Sequence, residues 1–203
     1  MLDLDFIEIG TSCYNTLIEE ADDSTFGISI EPIKYYLDLL PNKNNVIKIN
    51  CAVSPTNQMS DAYMYMVKEQ AIIDNNLPSF LRGCNSLNKY HLQHKELGVE
   101  HLVSKVPIKQ VPLSSILTAY KVRSIALLKI DTEGCDCDIL FTLIIYLKDK
   151  NNEYYPKTIL FESNEIADQN KVIKVIRLYK QLGYKVKYTG KDTKLVKESY
   201  YDF

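Results

Sequence analysis

The stretch Ile125-Ala126-Leu127-Leu128-Lys129-Ile130-Asp131-Thr132-Glu133-Gly134 carries the reading of the fold. Ile125 to Ile130 is nearly continuous in apolar residues, the pattern of a strand buried on both faces. Two acids and a glycine follow at once. Beyond them Ile139, Leu140, Leu143, Ile144 and Leu147 recur at helical spacing. A core strand therefore meets a helix through a turn rich in carboxylates. Helix capping alone supplies one account, with Asp131 or Thr132 as the cap and Glu133 on the helix dipole. A cap explains one acid, but not a pair beside a third, Glu162, at the end of the next strand.

Working outward, strands and helices alternate. Leu4 to Ile9 reads as a buried strand ending at Gly10, and Thr25 to Ile30 as a second ending at Glu31-Pro32. Pro32 suits a first helical turn, with Ile33, Tyr36, Leu37 and Leu40 as its apolar face. Asn45 to Val53 gives a third strand, stopped by Ser54-Pro55. Between 56 and 105 the periodicity is poor, which predicts an irregular insertion, or lid, of loops and short elements. Val106 to Val111 is expected as an accessory strand and Ser114 to Tyr120 as a short helix. Downstream come a strand at Thr158 to Phe161, a helix from Val172 to Leu182 closed by Gly183, and a hairpin of Tyr184 to Tyr188 with Thr193 to Lys197. This order predicts an α/β fold with a mostly parallel sheet and an antiparallel edge. One domain over 1–203 suits the length.

Bulk properties exclude several classes. Apolar residues make up 46% and charged residues 25% of 203, and the net charge is −2. That is ordinary globular composition, without the basic face that nucleic acid requires. No apolar run approaches the roughly 20 residues of a membrane span. The N-terminus is acidic where a signal peptide is basic, and five cysteines without a secretory signal read as free thiols. An intracellular, cytoplasmic location is expected.

In a parallel sheet a ligand sits beyond the carboxyl ends of the strands. Those ends carry Glu8 and Gly10, Glu31, Ala52 to Ser54, Asp131 to Gly134, and Glu162 to Asn164. Carboxylates at four of the five point to a nucleoside-type ligand beside a metal or catalytic centre. Gly10 permits close backbone approach. Glu31 has the placement of an acid that accepts from two ribose hydroxyls, though a plain turn and a helix-start acid explain the same two residues. A dinucleotide site wants G-x-G-x-x-G, whereas Gly10-Thr11-Ser12-Cys13-Tyr14-Asn15 has one glycine and a bulky Tyr14. That counts against a nicotinamide cofactor.

These segments together resemble the FkbM family of S-adenosylmethionine-dependent O-methyltransferases. The resemblance rests on Phe6-Ile7-Glu8-Ile9-Gly10, Ile30-Glu31-Pro32, Ala52-Val53-Ser54, Leu127 to Gly134 with its "KIDxEG" core, and Ile159-Leu160-Phe161-Glu162. It runs roughly from Leu4 to Val196. It implies a class I methyltransferase fold, a Rossmann-like sheet of seven strands flanked by helices. Glu8, Gly10, Thr11 and Ser12 would line the methionine end of S-adenosylmethionine, Glu31 and Pro32 the ribose, and Cys51 to Ser54, with Ala52, the adenine. Asp131 would face the transferred methyl. Asp131, Glu162 and Asn164 would ligate a divalent cation, magnesium or manganese, as hard oxygen donors suit. Glu8 stands where the family has Asp, Thr11-Ser12 where it has Ala-Asn, and Tyr14 where it has glycine. The chain also starts close to its first strand, so a covering N-terminal helix is not expected. Solvent or a second subunit, in a homo-oligomer, would face the substrate.

An acceptor hydroxyl must lose its proton, so a base is needed. Glu133 and His91 are the candidates, with His94 and His101 nearby in the insertion. His91 and His94 are three apart and share a face if helical, although a histidine in a polar loop is more often a plain surface group. Arg82 to Ser86 reads as a turn that brings Asn85 and Ser86 over the cofactor. Cys135 and Cys137 make a poor zinc pair and read as structural thiols. Tyr35, Tyr36 and Tyr179 fall at core spacing. A sugar (glycan) hydroxyl is the expected acceptor. A lipid or polyketide hydroxyl and a catalytically silent subunit are the alternatives. The Asn-, Lys- and Ile-rich composition points to an AT-rich genome, of a microbe or a large DNA virus.

Overall fold

The computed structural model describes residues 1–13, 15–89 and 91–198; Tyr14, singled out above, lies outside them. The elements in chain order are β1 (Leu2–Ile9), α1 (Leu17–Glu20), β2 (Gly27–Ile30), α2 (Lys34–Leu39), β3 (Val46–Ile49), β4 (Ala52–Val53) and β5 (Ser60–Val67). They continue with α3 (Glu69–Asp74), α4 (Leu92–Glu96), β6 (Val103–Val111), α5 (Leu113–Ala119), β7 (Val122–Ile130) and α6 (Asp136–Leu147). The chain closes with β8 (Thr158–Glu162), α7 (Gln169–Gln181), β9 (Tyr184–Thr189) and β10 (Asp192–Lys197). No helix among the described residues is long and apolar enough to cross a membrane.

Seven strands form one sheet in the order β3-β2-β1-β7-β8-β10-β9. β3, β2, β1, β7 and β8 pair in parallel, and β10 runs antiparallel to both β8 and β9. The expected mostly parallel sheet with an antiparallel C-terminal strand is what the chain builds. Period-two alternation in β1 divides the two faces. Ile7 and Ile9 enter the larger core with Leu113 and Ile116 of α5, Ile139 and Leu143 of α6, and Val172 and Tyr179 of α7. Phe6 enters a smaller core with Ile18 of α1 and Leu37 of α2. Strand order reverses between β1 and β7, and it is at such a point that the crevice of an open α/β sheet lies.

Three expectations need correction. Asn45 to Val53 is not one strand: the Asn50 side-chain amide donates to the Glu31 and Pro32 carbonyls at 2.9 and 3.0 Å. The chain turns there, so β3 joins the main sheet while β4 starts a second one. The second sheet, β4-β6-β5, runs through the 56–105 stretch read as irregular. Its eight-residue β5 pairs with β6 from Ser60↔Gln110 to Val67↔Val103, and β6 begins three residues before the expected Val106. Third, Tyr35 is 53% exposed, whereas Tyr36 and Tyr179 are fully buried as expected.

Candidate active site

At the reversal point a cavity of about 220 Å³ opens over the carboxyl ends of β1, β2 and β7. Gly10, Thr11, Ser12, Glu31, Pro32, Ala52, Asp131 and Glu133 all line it, so eight residues taken from four sequence segments converge. Gly10 is shaped by its neighbours. Its φ is +80°, and a Cβ there would sit 1.8 Å from the Asp131 carbonyl oxygen. Asp131 N–H in turn donates to the Ile9 carbonyl at 2.9 Å. The two strand ends are thus pressed together, and only a residue without a side chain fits between them.

Glu31, 3% exposed, accepts from Ser12 N–H through Oε2 and from Ile33 N–H through Oε1, both at 2.8 Å. Burial pushes its carboxyl up to about 7 against hydrogen bonds from Ile33, Ser12 and Thr11, which favour the charged form. Glu8 behaves differently from expectation: it is fully buried and is not among the residues on the cavity wall. Its Oε1 accepts from Lys129 Nζ at 2.8 Å and its Oε2 from Leu17 N–H at 2.9 Å. Lys129, which sequence reasoning passed over, is the residue of this pair that reaches the cavity.

At the β7 end, carboxylate oxygens of Asp131, Glu133 and Glu162 lie within 4.8 Å of one another. Asp131 is open to the cavity yet walled by protein, and burial raises its carboxyl while Lys129 opposes the shift. Burial, then the charges of Asp131 and Asp136, pushes Glu133 up to about 8. Burial and the neighbouring acids push Glu162 to about 9, and its Oε2 is buried without a hydrogen-bond partner among the described residues. Asn164 is not part of this group. Its amide nitrogen donates to Glu162 Oε1 at 2.6 Å, and its oxygen accepts from Ile166 N–H at 2.8 Å. It steadies Glu162, and its oxygen is turned to the backbone of Ile166.

The residue that holds the group together is Asp136, which sequence reasoning passed over. Buried at 2% exposure, it accepts from Thr132 N–H at 2.9 Å and from the Thr132 hydroxyl through Oδ1, and from Glu162 N–H at 2.8 Å through Oδ2. Burial raises it to about 6. One carboxylate thus ties the turn after β7 to the end of β8. The spacing Thr132-x-x-x-Asp136 ahead of a helix was the available signal.

The expectation of surface histidines fails for two of three. His91 and His94 are 3% and 1% exposed, their ring centroids 5.0 Å apart; His101 is exposed. His91 Nδ1 accepts from Gln93 N–H at 3.3 Å, capping α4. The ring proton then belongs on Nε2, which donates to Glu133 Oε2 at 2.8 Å. Burial lowers both histidines, His94 to about 4, so both rings are neutral. Ser86 Oγ donates to the Glu133 carbonyl at 2.7 Å and Asn85 lines the cavity, so the 82–86 turn does reach the site. All five cysteines are free thiols.

A second, more open cleft of about 490 Å³ adjoins the first, sharing Leu87 and Cys135 with it. Tyr63 and Tyr65 of β5, Asn88 and Gln110 stand on its walls. The family model described as "Methyltransferase FkbM domain" matches residues 8–186, a span from Glu8 in β1 to Val186 in β9. No curated protein and no solved structure matches the chain.

Proposed function

Because the chain belongs to the FkbM methyltransferase family, we propose that it transfers a methyl group from S-adenosylmethionine to a sugar hydroxyl. The observation that carries this reading is the cavity at the sheet's reversal point. It has a ribose-type acid, Glu31, on one wall and the Asp131–Glu133–Glu162 group at its β7 end. Glu31 fits a nucleoside: the Ser12 and Ile33 N–H groups fix its carboxylate on the cavity wall at the tip of β2, the placement of an acid that accepts from ribose hydroxyls. Gly10 keeps the turn after β1 free of side-chain bulk. When bound, the sulfonium supplies a methyl carbon activated for in-line displacement.

The chain's own residues then have to align and deprotonate the acceptor. Glu133 is suited to take the proton. The His91 Nε2–H bond fixes its Oε2, leaving Oε1 for a partner in the cavity. Asp131, Glu133 and Glu162 also fit a hard divalent ion such as magnesium or manganese, because three oxygens converge and Glu162 Oε2 has no partner. Such an ion would lower the pKa of an acceptor hydroxyl. The adjoining cleft supports a sugar over a lipid. Its tyrosine faces, side-chain amides and the Asp138–Lys171 pair suit ring C–H groups and hydroxyls, whereas an acyl chain wants an apolar wall.

The test is transfer of labelled methyl from S-adenosylmethionine to a panel of glycosides, with and without chelator. Label in a glycoside ether is the expected product. Asp131→Asn is expected to lower turnover by about a hundredfold or more. Full activity in that variant together with indifference to chelator removes the cation. Absence of S-adenosylmethionine binding by calorimetry removes the enzyme reading in favour of a silent subunit.

A further inference from the structure

The ion pair between Lys129 and Glu8 has no evident reason to exist as a stabilising device. Glu8 is fully buried and Lys129 largely so, and burying two charges costs about as much as their attraction returns. The two face each other because β1 and β7 pair in the register Glu8↔Lys129. What the pair achieves is placement. Glu8 Oε1 holds Nζ at 2.8 Å, and the Asn15 carbonyl lies 3.5 Å from it. Nζ carries three donors, so at least one is left for a partner at the cavity wall.

Among the described residues lining that cavity, Lys129 is the one cation, against the three acids Glu31, Asp131 and Glu133. One cation among three acids offers a polyphosphate too few partners and suits a ligand with a single anionic group. We propose that Lys129, braced by Glu8, is the anchor for the α-carboxylate of an amino-acid-bearing nucleoside. This rests on the S-adenosylmethionine reading and adds to it the group that grips the amino-acid end. The sequence along the cavity agrees with the ligand's own order. Glu31 follows β2 on one side of Gly10, while Lys129 and Asp131 belong to β7 on the other. Glu8 is a positioning residue here, because it acts through Lys129.

Binding calorimetry on the full chain tests this with five probes: S-adenosylmethionine, its decarboxylated form, S-adenosylhomocysteine, 5′-methylthioadenosine, which lacks the amino-acid end, and adenosine monophosphate. The unmodified protein is expected to bind S-adenosylhomocysteine at least tenfold more tightly than 5′-methylthioadenosine. Lys129→Met should weaken S-adenosylhomocysteine by about ten- to a hundredfold, the loss of a charge-assisted bond, while 5′-methylthioadenosine changes less than twofold; Lys129→Arg should restore part of the loss. Should Lys129→Met not fold, the unmodified protein still decides. Equal affinity for S-adenosylmethionine and its decarboxylated form overturns the assignment. Binding of adenosine monophosphate more tightly than S-adenosylhomocysteine overturns it too, in favour of a phosphate. Failure of every nucleoside probe to bind instead overturns the S-adenosylmethionine reading on which the anchor depends.

Discussion

Gly10 shows how one residue joins fold to site. With φ at +80° and the Asp131 carbonyl 1.8 Å from where a Cβ would stand, Gly10→Ala must push β1 away from β7. The expected cost is about 3 kcal/mol or more. That appears as a Tm lowered by roughly 6 °C or more in thermal unfolding; a Tm within 2 °C of the parent would contradict the close approach. Other single residues were less open to sequence reading. Glu31 was legible because a strand tip and a following proline mark its place. Glu8 was not, because nothing local says that an acid in β1 faces a lysine 121 residues on. Asp136 was hidden between two cysteines, and its three hydrogen bonds depend on Thr132 and on the end of another strand. Burial of His91 arises from a tertiary partner, Glu133, and a polar local sequence gave no sign of it.

Elements were legible in proportion to how far their own pattern settled them. α7 has apolar residues at helical spacing, and its cap is equally local: Asp168 Oδ1 accepts from Asn170 N–H at 2.9 Å and Lys171 N–H at 3.3 Å. Asp168→Ala should therefore cost about 1 kcal/mol, a Tm drop of roughly 2–4 °C, with binding of S-adenosylhomocysteine unchanged by calorimetry. An unchanged Tm would show that the cap carries no weight. β7, β8 and the β9–β10 hairpin were equally plain, being apolar runs with clear stops. β5 was missed because only Met64, Met66 and Val67 of its eight residues are buried. An alternation of Met with Tyr reads weakly when the tyrosines are half exposed. The break between β3 and β4 depends on Asn50 reaching the carbonyls of Glu31 and Pro32, a contact between segments 18 or 19 residues apart and invisible to a window.

At the scale of the molecule, the acids of the site govern how stability responds to pH. Asp136, Glu31, Glu133 and Glu162 are raised to about 6, 7, 8 and 9, above the ordinary carboxyl range near 4. A group that holds its proton more tightly when folded gives its full stabilisation below the unfolded value and loses it as pH rises through the folded one. The protein without ligand should therefore lose about 5 °C or more in Tm between pH 5 and pH 9, and millimolar manganese should recover part of the loss if the three carboxylates take a cation. A Tm rising over that interval would contradict the burial of the cluster. The parallel sheet imposes a further condition, on the order of assembly. β1 is an interior strand of the sheet, flanked by β2 and by β7, yet the β7 partner of Glu8 is 121 residues later in the chain. During synthesis β1 is complete long before β7 has left the ribosome. Its β2 side can pair early, while the other edge stays open until closure of a long loop. The nascent chain thus carries an unpaired apolar strand edge while the residues between Ile9 and Val122 are made, a delay built into the same topology that creates the crevice.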